Sequence, residues 1–102
     1  MKQVGEIIRA KREEKGMLLR HLAAEIDIDQ ALLSKIERSQ RKATKEQILK
    51  LETIFALKKG ELMLQYLSEN IANEIIEEKN AKDVLIVAEY KIEYLRKLSK
   101  QK

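Results

Sequence analysis

Gln30, Ala31, Ser34 and Lys35 recur at helical spacing, so a helix over this stretch carries them on one side. An amide, a methyl, a hydroxyl and an ammonium are groups for recognition by hydrogen bonding and contact. They are poorly suited to breaking bonds. Lys35 also opens a basic stretch: residues 35–59 hold 8 Lys and Arg against 3 acidic residues, with Arg38, Arg41, Lys42 and Lys45 among them. A concentrated basic patch attracts polyanions by neutralising phosphates and releasing counterions. On charge alone, it equally fits the solvated face of a lysine-rich protein. The net charge of +4 all lies in residues 1–67, which hold 14 basic and 10 acidic residues, whereas residues 68–102 balance at 7 and 7.

The groups that catalysis would need are missing. There is no Cys, and His21 is the only His, on a short helix where a surface or half-buried position is expected. No Gly-rich phosphate loop, Gly-x-Ser-x-Gly turn or metal-ligand cluster occurs. Glu77-Glu78 reads as solvated surface. Tyr66, Tyr90 and Tyr94 read as packing residues, since no basic aromatic strip surrounds them. No enzyme activity, cofactor or metal is therefore expected. The absence of Cys suits a reducing cytoplasm. Apolar runs such as Val84–Ala88 fall far short of a membrane span, and the N-terminus lacks a signal-peptide core. A soluble cytoplasmic protein with no membrane partner is expected.

Composition points to an all-α protein: no Pro, three Gly, few aromatics, and much Ala, Leu, Ile, Glu and Lys. The first helix reads from about Gln3 to Lys15, with Val4, Ile7 and Ile8 on its apolar side and Gly16 as its stop. A second runs from about Leu19 to Glu25. After Ile26-Asp27-Ile28, Asp29 offers a cap to a third helix, Gln30 to about Arg38. Thr44-Lys45-Glu46-Gln47 matches a capping box opening a fourth helix. A fifth starts near Gly60 and extends toward Lys79. A last helix, capped by Asn80 or Asp83, reaches about Ser99.

Two short helices joined by a tight turn, the second anchored by Leu33 and Ile36 and polar outside, form a helix-turn-helix pattern. Residues 4–67 resemble the phage Cro and cI repressor family, also called the XRE family. The resemblance is carried by Arg12, Gly16, Leu22-Ala23 and Ser34-Lys35-Ile36-Glu37 at these spacings.

The resemblance implies a five-helix bundle whose third helix enters the major groove of double-stranded DNA. Gln30, Ala31 and Lys35 fall where the family contacts bases, and Ser34 shares their face. Gln pairs with adenine, Lys donates to guanine, and Ala can meet a thymine methyl. Arg38, Arg41, Lys42 and Lys45 match positions that grip the phosphate backbone, with the free N–H groups near Leu19 as a further phosphate site. Arg12 and Glu37 match a family ion pair between the first and third helices. Three features depart from the pattern. Leu18-Leu19 stands where Ser or Thr followed by Gln is usual, Ser39 replaces a glycine, and residues 39–44 lack the customary proline.

The family's minimal domain ends near Leu67, which divides the chain into a DNA-binding domain at 1–67 and a helical extension at 68–102. In the extension, Leu85, Ala88, Ile92 and Leu95 form an apolar stripe, too apolar to stand alone in water. Three arrangements would cover it: packing on its own bundle, pairing with a second copy, or binding a partner protein. A homodimer is the preferred expectation, since two reading helices about 34 Å apart would read an inverted-repeat operator. The expected function is a sequence-specific transcriptional regulator, a repressor or autoregulator. The alternative is an antitoxin-like or adaptor protein whose C-terminal helices bind a partner.

Overall fold

A computed structural model describes residues 1–101 as six helices, with no strand among the described residues. They run α1 Val4–Glu14, α2 Leu19–Glu25, α3 Gln30–Glu37, α4 Lys45–Ile54, α5 Glu61–Ile75 and α6 Ala81–Lys100. The protein is all-α, as composition and periodicity indicate.

Local chemistry accounts for the boundaries. The Asp29 carboxylate accepts from Leu32 N–H at 2.7 Å, satisfying a free donor at the start of α3. The capping box at α4 is formed: Gln47 N–H donates to Thr44 Oγ1 at 3.1 Å, and Thr44 N–H donates to Gln47 Oε1 at 2.9 Å. The first four helices all end alike. The residue after the C-cap turns left-handed and the next two N–H groups fold back onto the last turn, a Schellman motif. Gly16, Asp27, Ser39 and Ala56 hold these left-handed positions at φ 67°, 58°, 60° and 53°. At α3 the paired bonds are Ser39 N–H to the Ile36 carbonyl at 3.1 Å and Gln40 N–H to that of Lys35 at 2.8 Å. Ser39 therefore adopts the backbone that glycine takes more cheaply.

The chain forms two compact units, Met1–Asn70 and a second beginning at Ile71. In the first, Val4, Ile8, Leu22, Ile26, Leu33, Ile36, Ile48, Leu51 and Leu62 form the core, closed by Phe55 and Tyr66. Gly5 has a structural role that its sequence context does not advertise. A Cβ there would lie 2.8 Å from the Glu37 carbonyl oxygen and nearer still to that of Ile36. Only glycine lets α1 approach α3 so closely.

In the second unit, α5 stops at Ile75 instead of continuing to Lys79. Glu77 and Glu78 follow the last turn and no basic residue lies in it, an unfavourable charge pattern at a helix C-terminus. Asn80 takes the N-cap position of α6 without a side-chain capping bond, and no residue of α6 is buried. Tyr90 and Tyr94 are 68% and 60% exposed, which corrects their reading as packing residues. They fall on a helix whose apolar side chains are all at least partly open to solvent. Tyr66 alone packs.

Candidate nucleic-acid interface

The turn between α2 and α3 is built without glycine. Ile28 N–H reaches back to the Ala23 carbonyl at 3.0 Å and Asp27 N–H to that of Ala24 at 3.2 Å. Asp27 supplies the left-handed residue, and Asp29 then caps α3. Leu22, Ala23 and Ile26 on one side of this turn, and Leu33 and Ile36 on the other, are buried in the common core. The orientation of α3 is thus set by packing at both ends. Its opposite face carries Gln30, Ala31 and Lys35 exposed to solvent, with Ser34 half-buried beside them.

A shallow depression lined by Leu19, Gln30, Ala31, Ser34, Lys35 and Arg38 joins the start of α2 to this face. Leu19 is half-buried and packs on the core, while Leu18 holds the N-cap position of α2 with no side-chain capping bond. Arg38 is exposed, and its Nε donates to the Ser34 carbonyl at 3.3 Å. Arg41, Lys42 and Lys45 are exposed along the connection into α4.

That connection is fixed from below. Ala43 is buried, and the Tyr66 hydroxyl donates to its carbonyl at 2.6 Å. The exposed cations on either side are therefore mounted on an anchored backbone. Tyr66 thus does more than the packing its sequence context indicates, since a hydroxyl-to-carbonyl bond across 23 residues leaves no periodic mark.

Two buried carboxylates organise the scaffold. Glu37 accepts two hydrogen bonds from Arg12, which also donates to the Met17 carbonyl at 2.9 Å. The bond to Glu37 raises the guanidinium pKa above its ordinary value against the opposing effect of burial. Glu52, near the end of α4, accepts from Gly60, Leu62 and Met63 N–H at 3.1, 2.8 and 2.9 Å, capping α5 from α4. The Met63 bond leads in holding its carboxyl below the usual range. Glu52 was not singled out in the sequence, where it reads as one more acid on a mixed helix. The available signal was an acid placed directly after Leu51 and two residues before Ile54-Phe55, among the apolar positions of α4.

Among the described residues no cluster of His, Cys, Asp or Glu has the arrangement to hold a metal ion. No described helix is long and apolar enough to cross a membrane.

Residues 8–62 match the sequence profile of the helix-turn-helix family. The chain belongs to that family. This helix-turn-helix protein is a DNA-binding regulator of the Cro/cI-like (XRE) kind, in agreement with the pattern running from Arg12 to Glu37. A similar solved structure is that of the P22 c2 repressor in complex with a synthetic operator in the presence of Tl+. The two superpose with a TM-score of 0.56 at 24% identity, covering 61% of this chain and 94% of the repressor chain. That likeness is one of fold. No curated protein matches by sequence.

Proposed function

We propose that this helix-turn-helix protein regulates transcription as a homodimer on an inverted-repeat operator, with α3 of each copy in the major groove. The observation that carries this reading is a polar, exposed face on an otherwise buried helix: Gln30, Ala31 and Lys35 stand open to solvent while Leu33 and Ile36 are sunk in the core. The major groove, about 12 Å wide, accepts one such helix.

In this reading Gln30 pairs with adenine, Lys35 donates to guanine, Ala31 meets a thymine methyl, and Ser34 touches a base edge or a phosphate. Arg38, Arg41, Lys42, Lys45 and the N–H groups near Leu19 bind the backbone and set register without reading sequence. Residues 1–67 act as the DNA-binding domain. Residues 68–102 hold two copies together through Leu85, Ala88, Ile92 and Leu95. Three of these, Leu85, Ile92 and Leu95, are 47%, 47% and 58% exposed, apolar area that a second copy would remove from water. The regulator acts in the cytoplasm as a repressor or autoregulator.

Selection of bound duplexes from a random DNA pool at two salt concentrations tests this. A palindromic consensus that survives the higher salt is the expected result. Uniform binding that disappears with salt would reduce the interaction to its electrostatic part and overturn the reading.

A further inference from the structure

The depression beside α3 has a mixed lining. Leu19 and Ala31 are apolar, Gln30 and Ser34 are neutral and polar, and Lys35 and Arg38 are cationic. No carboxylate lines it, so a polyanion can approach. Leu19 is held in place because its inner side packs on the core. Its outer side is an alkyl surface at the edge of the face proposed to meet DNA. An alkyl group has no donor for a phosphate oxygen and would only strip water from it. Major-groove edges offer one apolar group, the C5-methyl of thymine.

We propose that the Leu19 side chain, together with Ala31, forms a methyl-reading site, so that α2 contributes to sequence specificity alongside α3. The inference rests on the DNA-reading function proposed above and adds one residue and one ligand group to it. Leu19 and Ala31 are the two apolar residues lining this depression, and a methyl entering it would leave water for contact with both. Burying one methyl corresponds to about a four-fold gain in affinity. Gln30 and Lys35, on the same rim, place this methyl next to bases read by hydrogen bonds. The half-site therefore carries a thymine beside the base pairs that those two residues contact.

The test uses the full-length protein and the duplex selected from the random pool. Each thymine of the half-site is replaced in turn by deoxyuridine, which removes the methyl and keeps every hydrogen-bonding group. Wild-type protein is expected to lose about four-fold in affinity at one thymine. Leu19→Ala is expected to bind the thymine and uracil duplexes equally at that position, and Leu19→Met to restore the preference. The thymine-to-uracil ratio within one variant does not depend on how much of it is folded, so any destabilisation by Leu19→Ala leaves the readout intact. A specific operator with no uracil penalty, or a penalty unchanged in Leu19→Ala, overturns the methyl site while the regulator reading stands. Failure to select any operator overturns both.

Discussion

Arg12 and Glu37, 25 residues apart, are joined by two parallel hydrogen bonds: Arg12 Nε to Glu37 Oε2 at 2.8 Å and a terminal Arg12 nitrogen to Oε1 at 3.0 Å. Their side chains are only 13% and 4% exposed. The third Arg12 bond, to the Met17 carbonyl, ties in the connection between α1 and α2. One guanidinium therefore sets α1, the entry to α2 and the end of α3 relative to one another.

Removing the cation leaves a buried carboxylate without its partner, a loss of roughly 3–5 kcal/mol when burial is complete. Arg12 is partly open to water, so Arg12→Ala is expected to lose about 3 kcal/mol, at the low end of that range. Urea unfolding at neutral pH measures it. Arg12→Lys should recover only part of the loss, because an ammonium cannot make the two parallel bonds. An unchanged denaturation midpoint in Arg12→Ala would show that the pair contributes nothing.

Gly5 faces the same end of α3. Gly5→Ala drives a Cβ into the Ile36 and Glu37 carbonyls, both backbone atoms of a packed helix that cannot turn aside. The expected cost is about 1–3 kcal/mol, with α1 displaced from α3. Thermal melting reports the loss, and chemical-shift changes at Ile36 and Glu37 report the displacement. A variant that melts like wild type would mean that the two helices can part freely.

Glu52 makes stability depend on pH. Its folded pKa is lowered, chiefly by the bond from Met63 N–H. The stabilisation is therefore complete above the unfolded carboxylate value of about 4.3 and is lost as the pH falls through the lower folded value. Glu52→Gln should cost about 1–2 kcal/mol at pH 7, since an amide accepts less strongly from three N–H groups. The gap between the two proteins should then close below pH 4. Denaturation curves from pH 7 to pH 3 check this, and a gap that widens in acid would contradict it.

The α6 stripe gives the test of self-association. Ile92→Asp with Leu95→Asp places charges on side chains that are already exposed, so the fold of the first unit should be unaffected. Analytical ultracentrifugation is expected to show a monomer, as it should for a chain lacking residues 80–102, with operator affinity falling at least ten-fold. A dimer that persists in both would assign the association to other residues. An untagged protein that copurifies with the wild type and is lost from the variant would point to the antitoxin-like or adaptor role instead.

Local and periodic features were legible before any coordinates. The Thr44–Gln47 box, the Asp29 cap, the Gly16 stop and the three-and-four spacing of Ile48, Leu51 and Phe55 are short-range patterns, and each helix formed where they indicate. The start and end of α2 came out at Leu19 and Glu25. The end of α5 did not, because apolar periodicity through Ile75 and Ile76 outran the charge pattern that ends the helix.

What the sequence determined alone, then, was an all-α chain of helix-turn-helix type with Gln30, Ala31, Ser34 and Lys35 on one face of its third helix, because spacing along a helix dictates which side chains share a face. Only the tertiary structure decided the roles of Gly5, Glu52 and Tyr66. Each acts on residues that are distant along the chain, through a close approach or a hydrogen bond that carries no period. The depression pairing Leu19 with Ala31 is of the same kind: it comes into being only when α2 and α3 are packed at one fixed angle.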